Sequence, residues 1–370
     1  MRKSVDRTLL GIVLLLVVGG FFIFSSASLG LLAREGARFS SVAFNQIFFG
    51  IIGGGVALFV ASGIHYRFWR KYAFYIFLAT VVLTLLVFAP KVGLALNGAH
   101  RWIKVGFFSF QPSELLKLGY VIYLATWLSG MKQHITSFTK GTLPFFGIVA
   151  LSGSVVLIQP DTDTFVIMTL AGVAMFLTAG GRWRDVFLLS IIGIALLALL
   201  TLFHPYIKDR LTSFFDPSSD LQGKSYQINQ SLIAIGSGSI LGRGFGQSIQ
   251  KFEHLPEPIS DSIFAVYGEE FGFLGSALLV LLFSFFAFRG YKLASEAADL
   301  FGMLLAVGFV TLIVAQAYLN IAAMLALAPL AGLPLPFISQ GGTALLAILA
   351  SVGIILNVSK YRKKRNAVVK

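Results

Sequence analysis

The sequence predicts an all-α polytopic membrane protein with about ten transmembrane helices. Hydrophobic residues make up 56% of its 370 residues, whereas Asp, Glu, Lys and Arg together make up 12%. Soluble domains contain about 25% charged residues, and a mean hydropathy of +0.84 is too high for a water-soluble fold. The chain contains no cysteine, so disulfides and thiolate metal sites are excluded.

Ten stretches are candidates for a membrane helix, which needs about 20 apolar residues. The predicted spans are 8–28, 42–64, 72–89, 113–130, 143–159, 163–180, 186–203, 262–288, 300–321 and 342–358. The first stretch follows several basic residues and resembles a signal peptide. It is too long for one, and further spans follow, so we expect it to be retained.

The distribution of charge predicts the orientation. An even number of spans places both termini on one side of the membrane. The segments on that side are 1–7, 65–71, 131–142, 181–185, 289–299 and 359–370. They hold 18 of the 29 basic and four of the 16 acidic residues, a net charge of +14, which leaves −1 for the rest of the chain. By the positive-inside rule this side is cytoplasmic. We expect the basic tail 359–370 to contact lipid headgroups rather than nucleic acid.

The opposite face carries one long extracytoplasmic loop, 204–261, between predicted helices seven and eight, and a shorter loop, 90–112. A loop of this length is uncommon unless it is functional or separately folded. It contains a helical stretch at 225–235 and then a glycine-rich run at 236–246. We expect residues 1–370 to form a single membrane domain that includes the loop and the tail.

Ionisable residues within or beside membrane helices are candidates for function. Arg101 precedes the segment 111–117, in which Glu114 and Lys117 lie three residues apart on one helix face. Such a pair is as consistent with an ion pair that locks helix packing as with a substrate role. In Gln159-Pro160-Asp161, Asp161 is placed to cap the helix that follows, and capping alone is the more common role of such a residue.

The segment 252–270 is the richest in polar groups. Asp261 stands at the mouth of the eighth span, either as a functional carboxylate or as an N-cap. On a regular helix Glu269 lies about 12 Å deeper than Asp261 and about 80° around from it. Glu270 lies on the side opposite to Asp261. These acids therefore cannot form one carboxylate pair, and we expect Glu269 and Glu270 to bond neighbouring helices.

The segment 329–343 contains three prolines and a glycine pair, which predict irregular backbone near membrane depth. Such backbone is tolerated where it is buried in protein or lines a cavity. The chain has no nucleotide-binding loop, and its five His are scattered without metal-ligand spacing.

Several of these segments together resemble the SEDS family of bacterial shape, elongation, division and sporulation proteins, to which FtsW, RodA and SpoVE belong. The resemblance covers the whole chain and is carried by 98–103, 111–114, 159–161 and 333–342. Within the family, segments 246–251 and 255–258 are more similar to the division member FtsW than to the elongation member RodA.

The resemblance implies a peptidoglycan glycosyltransferase of the bacterial cytoplasmic (inner) membrane that polymerises lipid II at the outer face. It places the catalytic carboxylate at Asp261, which we interpret as a general base. The candidate substrate-binding residues are Arg101, Glu114, Lys117, Asp161, Arg210, Arg243, Lys251 and Ser339. The leaving lipid diphosphate needs a positive charge from Arg, Lys or a divalent cation such as Mg²⁺ or Mn²⁺. The sequence assigns no metal ligands and no certain cofactor.

The resemblance also implies partners. These are lipid II, the undecaprenyl-diphosphate-linked glycan, a class B penicillin-binding transpeptidase, and other membrane proteins of the divisome or elongasome. We expect no nucleic acid.

An alternative function is that of a lipid II flippase or another secondary transporter, which the charged residues at 114, 117, 269 and 270 motivate. The polar groups crowd the outer half of the spans, which favours chemistry at the outer face. A scaffold for division proteins would leave these outer polar clusters unexplained.

Overall fold

Long apolar helices form most of the structure, a computed structural model that describes residues 4–34, 36–89, 92–96, 99–105, 108–203, 214 and 225–362. The helices are α1 (Arg7–Arg34), α2 (Gly36–Phe44), α3 (Gly54–Gly63), α4 (Arg67–Leu85), α5 (Pro112–Gly130), α6 (Leu143–Leu157), α7 (Thr162–Thr178), α8 (Trp183–Phe203), α9 (Tyr226–Ser237), α10 (Gln250–Glu253), α11 (Ile263–Ser295), α12 (Leu300–Met324) and α13 (Gly342–Lys360). A π-helix, Asn45–Gly53, joins α2 to α3, and a second, Phe138–Thr142, leads into α6. A 3₁₀ turn, Leu86–Phe88, ends α4.

Seven helical segments within the described residues are long and apolar enough to cross a membrane. They are Arg7–Ala33, Phe39–Gly63, Arg67–Phe88, Phe138–Leu157, Ile263–Ser295, Leu300–Met324 and Gly342–Lys360. Helices α5, α7 and α8 lie over the other three predicted spans. The expectation of a mostly helical, multi-pass membrane protein is confirmed, and the count of ten spans stays a prediction.

A small antiparallel sheet lies between α4 and α5. Its strands β1 (Gly93–Leu96), β2 (Ala99–Val105) and β3 (Phe108–Phe110) pair in sequence order. Ile103 of β2 lies opposite both Gly93 and Phe110 and is buried. The prediction of an all-α chain misses this sheet, because such short strands show too little apolar alternation to be read from sequence.

Helices α12 and α13 form the centre of the bundle. Of their most apolar windows, 72% and 78% of the residues are buried, against 22% for α11. Helix α12 packs on α5, α7 and α11, and α13 packs along α3. A polar side chain on α12 is therefore enclosed by protein and needs a hydrogen-bond partner there.

Helix α11 bends at Gly272, whose φ of +65° lies in the left-handed region. At the bend, the N–H of Phe273 donates to the carbonyl of Ser239, 2.9 Å away. A Cβ atom on Gly272 would lie 2.3 Å from the backbone nitrogen of Gly242, so the close approach of the two segments requires glycine. The glycine-rich run after α9 is thus packed against the bend.

The first and last segments that the structure describes, near the two chain termini, meet at Asp6. Its Oδ1 accepts a hydrogen bond from Arg289 Nε (3.0 Å), and its Oδ2 accepts one from Arg362 Nη2 (2.6 Å). Arg362 also bonds Glu296, 3.2 Å away. Burial would raise the pKa of Asp6, but the hydrogen bonds from Arg289, the N–H of Leu9 and Arg362 outweigh it and lower this pKa from 3.8 to about 2.

A second polar contact at the same end joins α12 to the α3–α4 turn. Asp299 caps α12 by accepting from the N–H of Gly302 (2.8 Å), and it also accepts from Tyr66 Oη (2.9 Å) and Arg67 Nε (3.1 Å). The N–H of Tyr66 donates to Asn357 Oδ1 of α13, 2.8 Å away. Segments 4–7, 65–71, 289–299 and 359–362, all predicted to share one side, therefore lie together at one end of the bundle.

Part of the predicted long loop lies outside the described residues, namely 204–213 and 215–224, and so do tail residues 363–370. Arg210 is among them. Helix α9 confirms the helical stretch predicted at 225–235. The rest of the loop, up to Asp261, is described. It packs on α1 and α11, for example through Lys251, which bonds Ser26 and Glu270.

Candidate functional site

Asp261 lies in the turn that leads into α11 and is half-buried. The turn is closed by the N–H groups of Ser260 and Ser262, which donate to the carbonyl of Glu257 at 3.2 and 3.1 Å. Ser262 occupies the N-cap of α11, so the alternative interpretation of Asp261 as an N-cap is wrong. Asp261 is one residue further out, at the mouth of the helix.

Asn320 of α12 holds the backbone of Asp261. Its Nδ2 donates to the carbonyl of Asp261 and to the carbonyl of Leu333, each 2.7 Å away. Asn320 is fully buried, and an amide nitrogen has two hydrogens to donate, both of which are used here. One side chain therefore joins the mouth of α11 to the segment that precedes α13, residues 331–341, which we call the C-terminal loop.

The C-terminal loop also forms hydrogen bonds with the residues before Asp261. Ser339 Oγ donates to the carbonyl of Ser260 (2.6 Å) and accepts from the N–H of Leu335 (2.8 Å). The N–H of Gln340 donates to the carbonyl of Ile259, 2.8 Å away. Asp261 is thus fixed from two sides, through main-chain atoms of its own segment.

Gln46, on the π-helix between α2 and α3, supports this loop from the other side. Its Nε2 donates to the carbonyl of Ser339 (3.3 Å), and its Oε1 accepts from the N–H of Gly341 (3.0 Å). Within the loop, Phe337 has a φ of +68°, an unfavourable value for a bulky residue. Its buried ring packs against Phe286 at 5.9 Å. Strain of this kind persists only where the surroundings enforce it, and it often marks functional sites.

Glu114 and Lys117 form a buried ion pair on α5. Lys117 Nζ lies 2.8 Å from Glu114 Oε1 and 2.9 Å from Gln316 Oε1. Gln316 in turn donates through Nε2 to the carbonyl of Pro334 in the C-terminal loop, 2.7 Å away. The pair is satisfied inside the protein and is connected to the loop that holds Asp261.

Arg101 of β2 binds the turn between α6 and α7. Its Nε donates to the carbonyl of Gln159 (3.0 Å), and its Nη2 donates to the carbonyl of Pro160. Asp161 Oδ1 accepts from the N–H of Thr164 (3.2 Å), so the predicted capping role is confirmed. Burial raises the pKa of the Asp161 carboxyl, and the charge of Arg101 opposes this rise.

Asp163 connects the same turn to the C-terminal loop. Its Oδ2 accepts a hydrogen bond from the N–H of Gly332, 2.8 Å away. Hydrogen bonds through Asp163, Gln316 and Asn320 therefore connect the segments of Arg101, Asp161, Glu114 and Asp261 to the C-terminal loop, at one end of the bundle. This is the end opposite to the one where the chain termini meet, because α13 runs from Gly342 beside this loop to Lys360 beside the termini.

Lys251 belongs to a second cluster, around the two glutamates of α11. Its Nζ lies 2.7 Å from Glu270 Oε1, 3.0 Å from Ser26 Oγ and 2.9 Å from the carbonyl of Gly246. The Lys251 side chain has no exposed surface. Ser26 of α1 also donates to Glu270 Oε1, 2.6 Å away. The lysine thus ties the described end of the long loop to α1 and α11.

Glu269 accepts hydrogen bonds from the same described end of the long loop. Its carboxylate accepts from Ser248 Oγ (2.6 Å) and from the N–H of Ile249 (3.1 Å). Arg243 Nε lies 3.5 Å from Glu269 Oε1, and its side chain is 38% exposed, which leaves part of the guanidinium open to a ligand. The expectation that Glu269 and Glu270 bond neighbouring elements is confirmed.

The polar groups that sequence reasoning missed are amides on apolar helices. Asn320 and Gln316 lie four residues apart in α12, one helical turn from each other, and Gln46 lies in an equally apolar segment. Their signal was present, since a buried polar residue in a membrane helix is a functional candidate. Within the apolar helices, the prediction considered only charged residues as candidates and therefore omitted these amides.

Acidic and histidine side chains do not gather into a metal centre within the described part of the chain. No group of three or more His, Cys, Asp or Glu there could hold a metal ion. Among the described residues, Arg101 and Arg243 carry partly accessible positive charges on this face, and Lys104 carries an exposed one.

Comparison with known proteins gives a consistent group of relatives. The family model described as "Cell cycle protein", which covers FtsW, RodA and SpoVE, matches residues 6–364. Stage V sporulation protein E of Bacillus subtilis (strain 168) is 38% identical over 364 residues, which cover 98% of this chain and 99% of that protein. A "Probable peptidoglycan glycosyltransferase FtsW" of Geobacter sulfurreducens (strain DL-1 / KN400) is 37% identical over 315 residues, 85% of this chain and 84% of that one.

Two solved structures are similar over nearly the whole chain. One is described as "Structural coordination of polymerization and crosslinking by a peptidoglycan synthase complex". It has a TM-score of 0.78 and 25% identity, and it covers 98% of this chain and 99% of that one. The crystal structure of the Thermus thermophilus rod shape determining protein RodA has a TM-score of 0.69 at 24% identity, with 98% of each chain covered, and this is a likeness of fold.

Proposed function

Because the chain belongs to the FtsW/RodA/SpoVE family of cell cycle proteins, we propose that it is a peptidoglycan glycosyltransferase that polymerises lipid II at the outer face of the cytoplasmic membrane. The observation that carries the proposal is the fixation of Asp261 at the mouth of α11 by Asn320 and by the C-terminal loop. A carboxylate at this position can meet a sugar in water while the lipid tail of the substrate stays in the bilayer.

Asp261 acts as the general base. The sugar 4-hydroxyl of an incoming lipid II attacks the anomeric carbon of the growing chain and gives its proton to the carboxylate. The new C–O bond forms as the bond to the lipid diphosphate breaks, and the diphosphate leaves with its electron pair. The half-buried position of Asp261 leaves it access to water, and a general base must be ionised to accept the proton. Direct displacement inverts the anomeric carbon.

The substrate-binding residues divide into two groups by their burial. Arg101 and Arg243 are partly accessible. In our proposal these two residues and Arg210 bind the diphosphate of the substrate. A guanidinium group suits this role because it can bind two oxygen atoms of a phosphate at once. A divalent cation such as Mg²⁺ or Mn²⁺ bound with the substrate is an additional source of positive charge. The chain's own contribution to leaving-group departure is these arginines.

The second group is enclosed and shapes the site. Glu114, Lys117 and Lys251 are buried and bonded to protein groups. In our proposal they affect substrate binding indirectly, by fixing the position of the loops to which they are bonded. Asp161 and Ser339 act in the same way, on the turn before α7 and on the segment of Asp261.

The proposed topology has ten spans in a single domain, residues 1–370, with both termini in the cytoplasm and the long loop outside. The charge distribution along the sequence supports it. The structure adds a further support, because the described parts of four of the six segments predicted to share the cytoplasmic side lie together around Asp6 and Asp299. The membrane is the bacterial inner membrane, where lipid-linked peptidoglycan precursors are used.

The proposed partner is a class B penicillin-binding transpeptidase, with other division or elongation membrane proteins around it. A glycan strand must be crosslinked after polymerisation, and the similar solved structure is described as a complex that coordinates the two reactions. We propose a role in division rather than elongation, since relatives of 33–38% identity carry the name FtsW. Complementation of cells depleted of FtsW, with no complementation of cells depleted of RodA, is the expected result.

Polymerisation in detergent tests the activity. Purified protein is mixed with lipid II in micelles, where there is no membrane to cross, and glycan products are separated by length. We expect strands from the wild type and none from Asp261→Ala. A lipid II flippase or other transporter would give no strands, and the buried charges that motivated that alternative are paired within the protein.

A further inference from the structure

A cavity of about 660 Å³ lies beside the first two turns of α8, far from the residues of the candidate active site. Arg182, Trp183 and Arg184 line it at the start of the helix, and Phe187, Leu188 and Ile191 line it one to two turns further along. Its volume falls within the range of small-molecule sites, about 300–1,000 Å³. The lining is cationic at one end and apolar at the other.

The two arginines are available to a ligand. Both are exposed, and within the described residues neither side chain forms a hydrogen bond or an ion pair. Asp185, which also lines the cavity, instead accepts a hydrogen bond from Thr142 Oγ1, 2.5 Å away. The acid is thus turned to the π-helix that precedes α6, and it does not neutralise either arginine in an ion pair.

The apolar end faces the region of the bilayer. Phe187 and Ile191 are 69% and 49% exposed. Trp183 is 74% exposed, and tryptophan is enriched where the chain meets the lipid headgroups. In the predicted topology, in which α8 spans the membrane, the cavity would therefore lie at the boundary between headgroups and acyl chains, with its positive charge on the water side.

The cavity lies at the end of the bundle where the chain termini meet. Helix α7 starts at the turn bonded to the C-terminal loop and ends at Thr178, at the opposite end of the bundle. Helix α8 begins five residues later. Charge along the sequence predicts that this end faces the cytoplasm, and anionic lipids attract juxtamembrane basic residues at such a surface.

We propose that this cavity binds one anionic glycerophospholipid of the adjoining leaflet. Arg182 and Arg184 hold the phosphate, and an acyl chain lies along Phe187, Leu188 and Ile191. Charge complementarity selects an anionic headgroup, and the apolar half selects a lipid over a free phosphate ester. The site is separate from Asp261 and does not depend on the proposed transferase activity.

Native mass spectrometry of the full-length protein in micelles tests the proposal. The protein is titrated with phosphatidylglycerol, with phosphatidylcholine of the same chains, and with glycerol phosphate as the free headgroup. We expect one phosphatidylglycerol to bind selectively. Arg182→Gln with Arg184→Gln should weaken its binding on the order of 30-fold, since each basic residue contributes about a factor of five near such a surface.

Two further variants separate this site from diffuse surface charge. Ile191→Trp fills the apolar half without changing charge, and we expect about tenfold weaker phosphatidylglycerol binding. Lys71→Gln with Lys132→Gln removes two exposed charges that are predicted on the same side but do not line the cavity, and we expect a change of less than about threefold.

Equal losses in the two double variants, or no loss from Arg182→Gln with Arg184→Gln, would overturn the proposal. So would binding of phosphatidylcholine or glycerol phosphate as tight as that of phosphatidylglycerol. Melting temperatures are recorded for every variant, and Arg182→Lys with Arg184→Lys should retain binding within about threefold.

Discussion

The side-chain amide of Asn320 lies 2.7 Å from the backbone carbonyl of Asp261, in a hydrogen bond between residues 59 positions apart in the chain. The same amide nitrogen bonds the carbonyl of Leu333. The position of the proposed general base is therefore set by a buried residue of the central helix α12 and by the loop that enters α13. Asn320 is a positioning residue, since its contacts are to the backbone that carries Asp261.

Substitution of Asn320 should reduce catalysis more than substrate binding. Asn320→Asp keeps the size of the side chain but replaces the donor with an acceptor that faces two carbonyl oxygens. We expect kcat for lipid II polymerisation to fall on the order of 10–100-fold, because breaking a buried hydrogen bond costs about 1–3 kcal/mol. KM should change by less than about threefold.

The neighbouring substitution Ile321→Val provides the control, because it alters the packing of the same helix without touching a hydrogen bond. It should leave kcat within about twofold of the wild type and cost about 1 kcal/mol of stability. If Asn320→Asp lost activity only in proportion to lost folded protein, a positioning role would be excluded.

The buried pair on α5 should behave as a unit in stability measurements. Lys117→Met leaves the charge of Glu114 without its partner, and we expect a loss of about 3–5 kcal/mol in the free energy of unfolding. The double variant Glu114→Gln with Lys117→Met removes both charges and should be less destabilised than Lys117→Met alone. Chemical denaturation of the purified proteins in detergent measures both. Additive effects of the two substitutions would contradict the coupling that the 2.8 Å contact implies.

The bend in α11 should depend on glycine. In Gly272→Ala, the new Cβ atom would lie 2.3 Å from the nitrogen of Gly242, and φ would stay in the left-handed region. We expect a lower melting temperature and at least 1 kcal/mol of destabilisation. Gly11→Ala in α1 is the matched control, since no atom lies within 4 Å of its Cβ position. That control should be neutral or slightly stabilising. Equal melting temperatures for the two variants would contradict the requirement for glycine at the bend.

The contacts of Asp6 predict how stability depends on pH. The folded pKa of about 2 is lower than the ordinary value of 3.8. The ionised carboxylate therefore stabilises the fold above pH 3.8, and this contribution is lost as the pH falls through 2. Asp6→Asn should cost about 2 kcal/mol near neutral pH. The difference in melting temperature between wild type and variant should be constant from pH 5 to 8 and shrink below pH 3.8. A difference that grows on acidification would contradict the assignment.

The sequence predicts correctly that the chain is a mostly helical, multi-pass membrane protein, because apolar length and flanking charge act locally along the chain. It also identifies the segments of Asp261, Asp161 and Ser339, whose prolines and glycines interrupt apolar runs. The connections between these segments depend on tertiary packing. That Asn320 reaches both Asp261 and Leu333, and that Lys117 meets Gln316, requires the relative placement of α5, α11 and α12.

The sheet at 93–110 and the bend at Gly272 were not predictable for a different reason. The strands gain their stability from pairing and from a few buried side chains such as Ile103, and their local preference for extended backbone is weak. Gly272 lies in a long apolar helix, where a glycine is compatible with a straight helix. Its left-handed backbone follows from the packing of the 238–242 segment against it.

The rate of lipid II polymerisation by Asp261→Asn in detergent tests the proposed mechanism most directly. Asparagine keeps the shape of the residue and its backbone bond to Asn320, but it cannot accept the proton of the attacking hydroxyl. We expect a loss on the order of 10²–10⁴-fold, the usual contribution of a general base, with an unchanged melting temperature and unchanged binding of lipid II. Strands formed at the wild-type rate by well-folded Asp261→Asn would show that Asp261 is not the base.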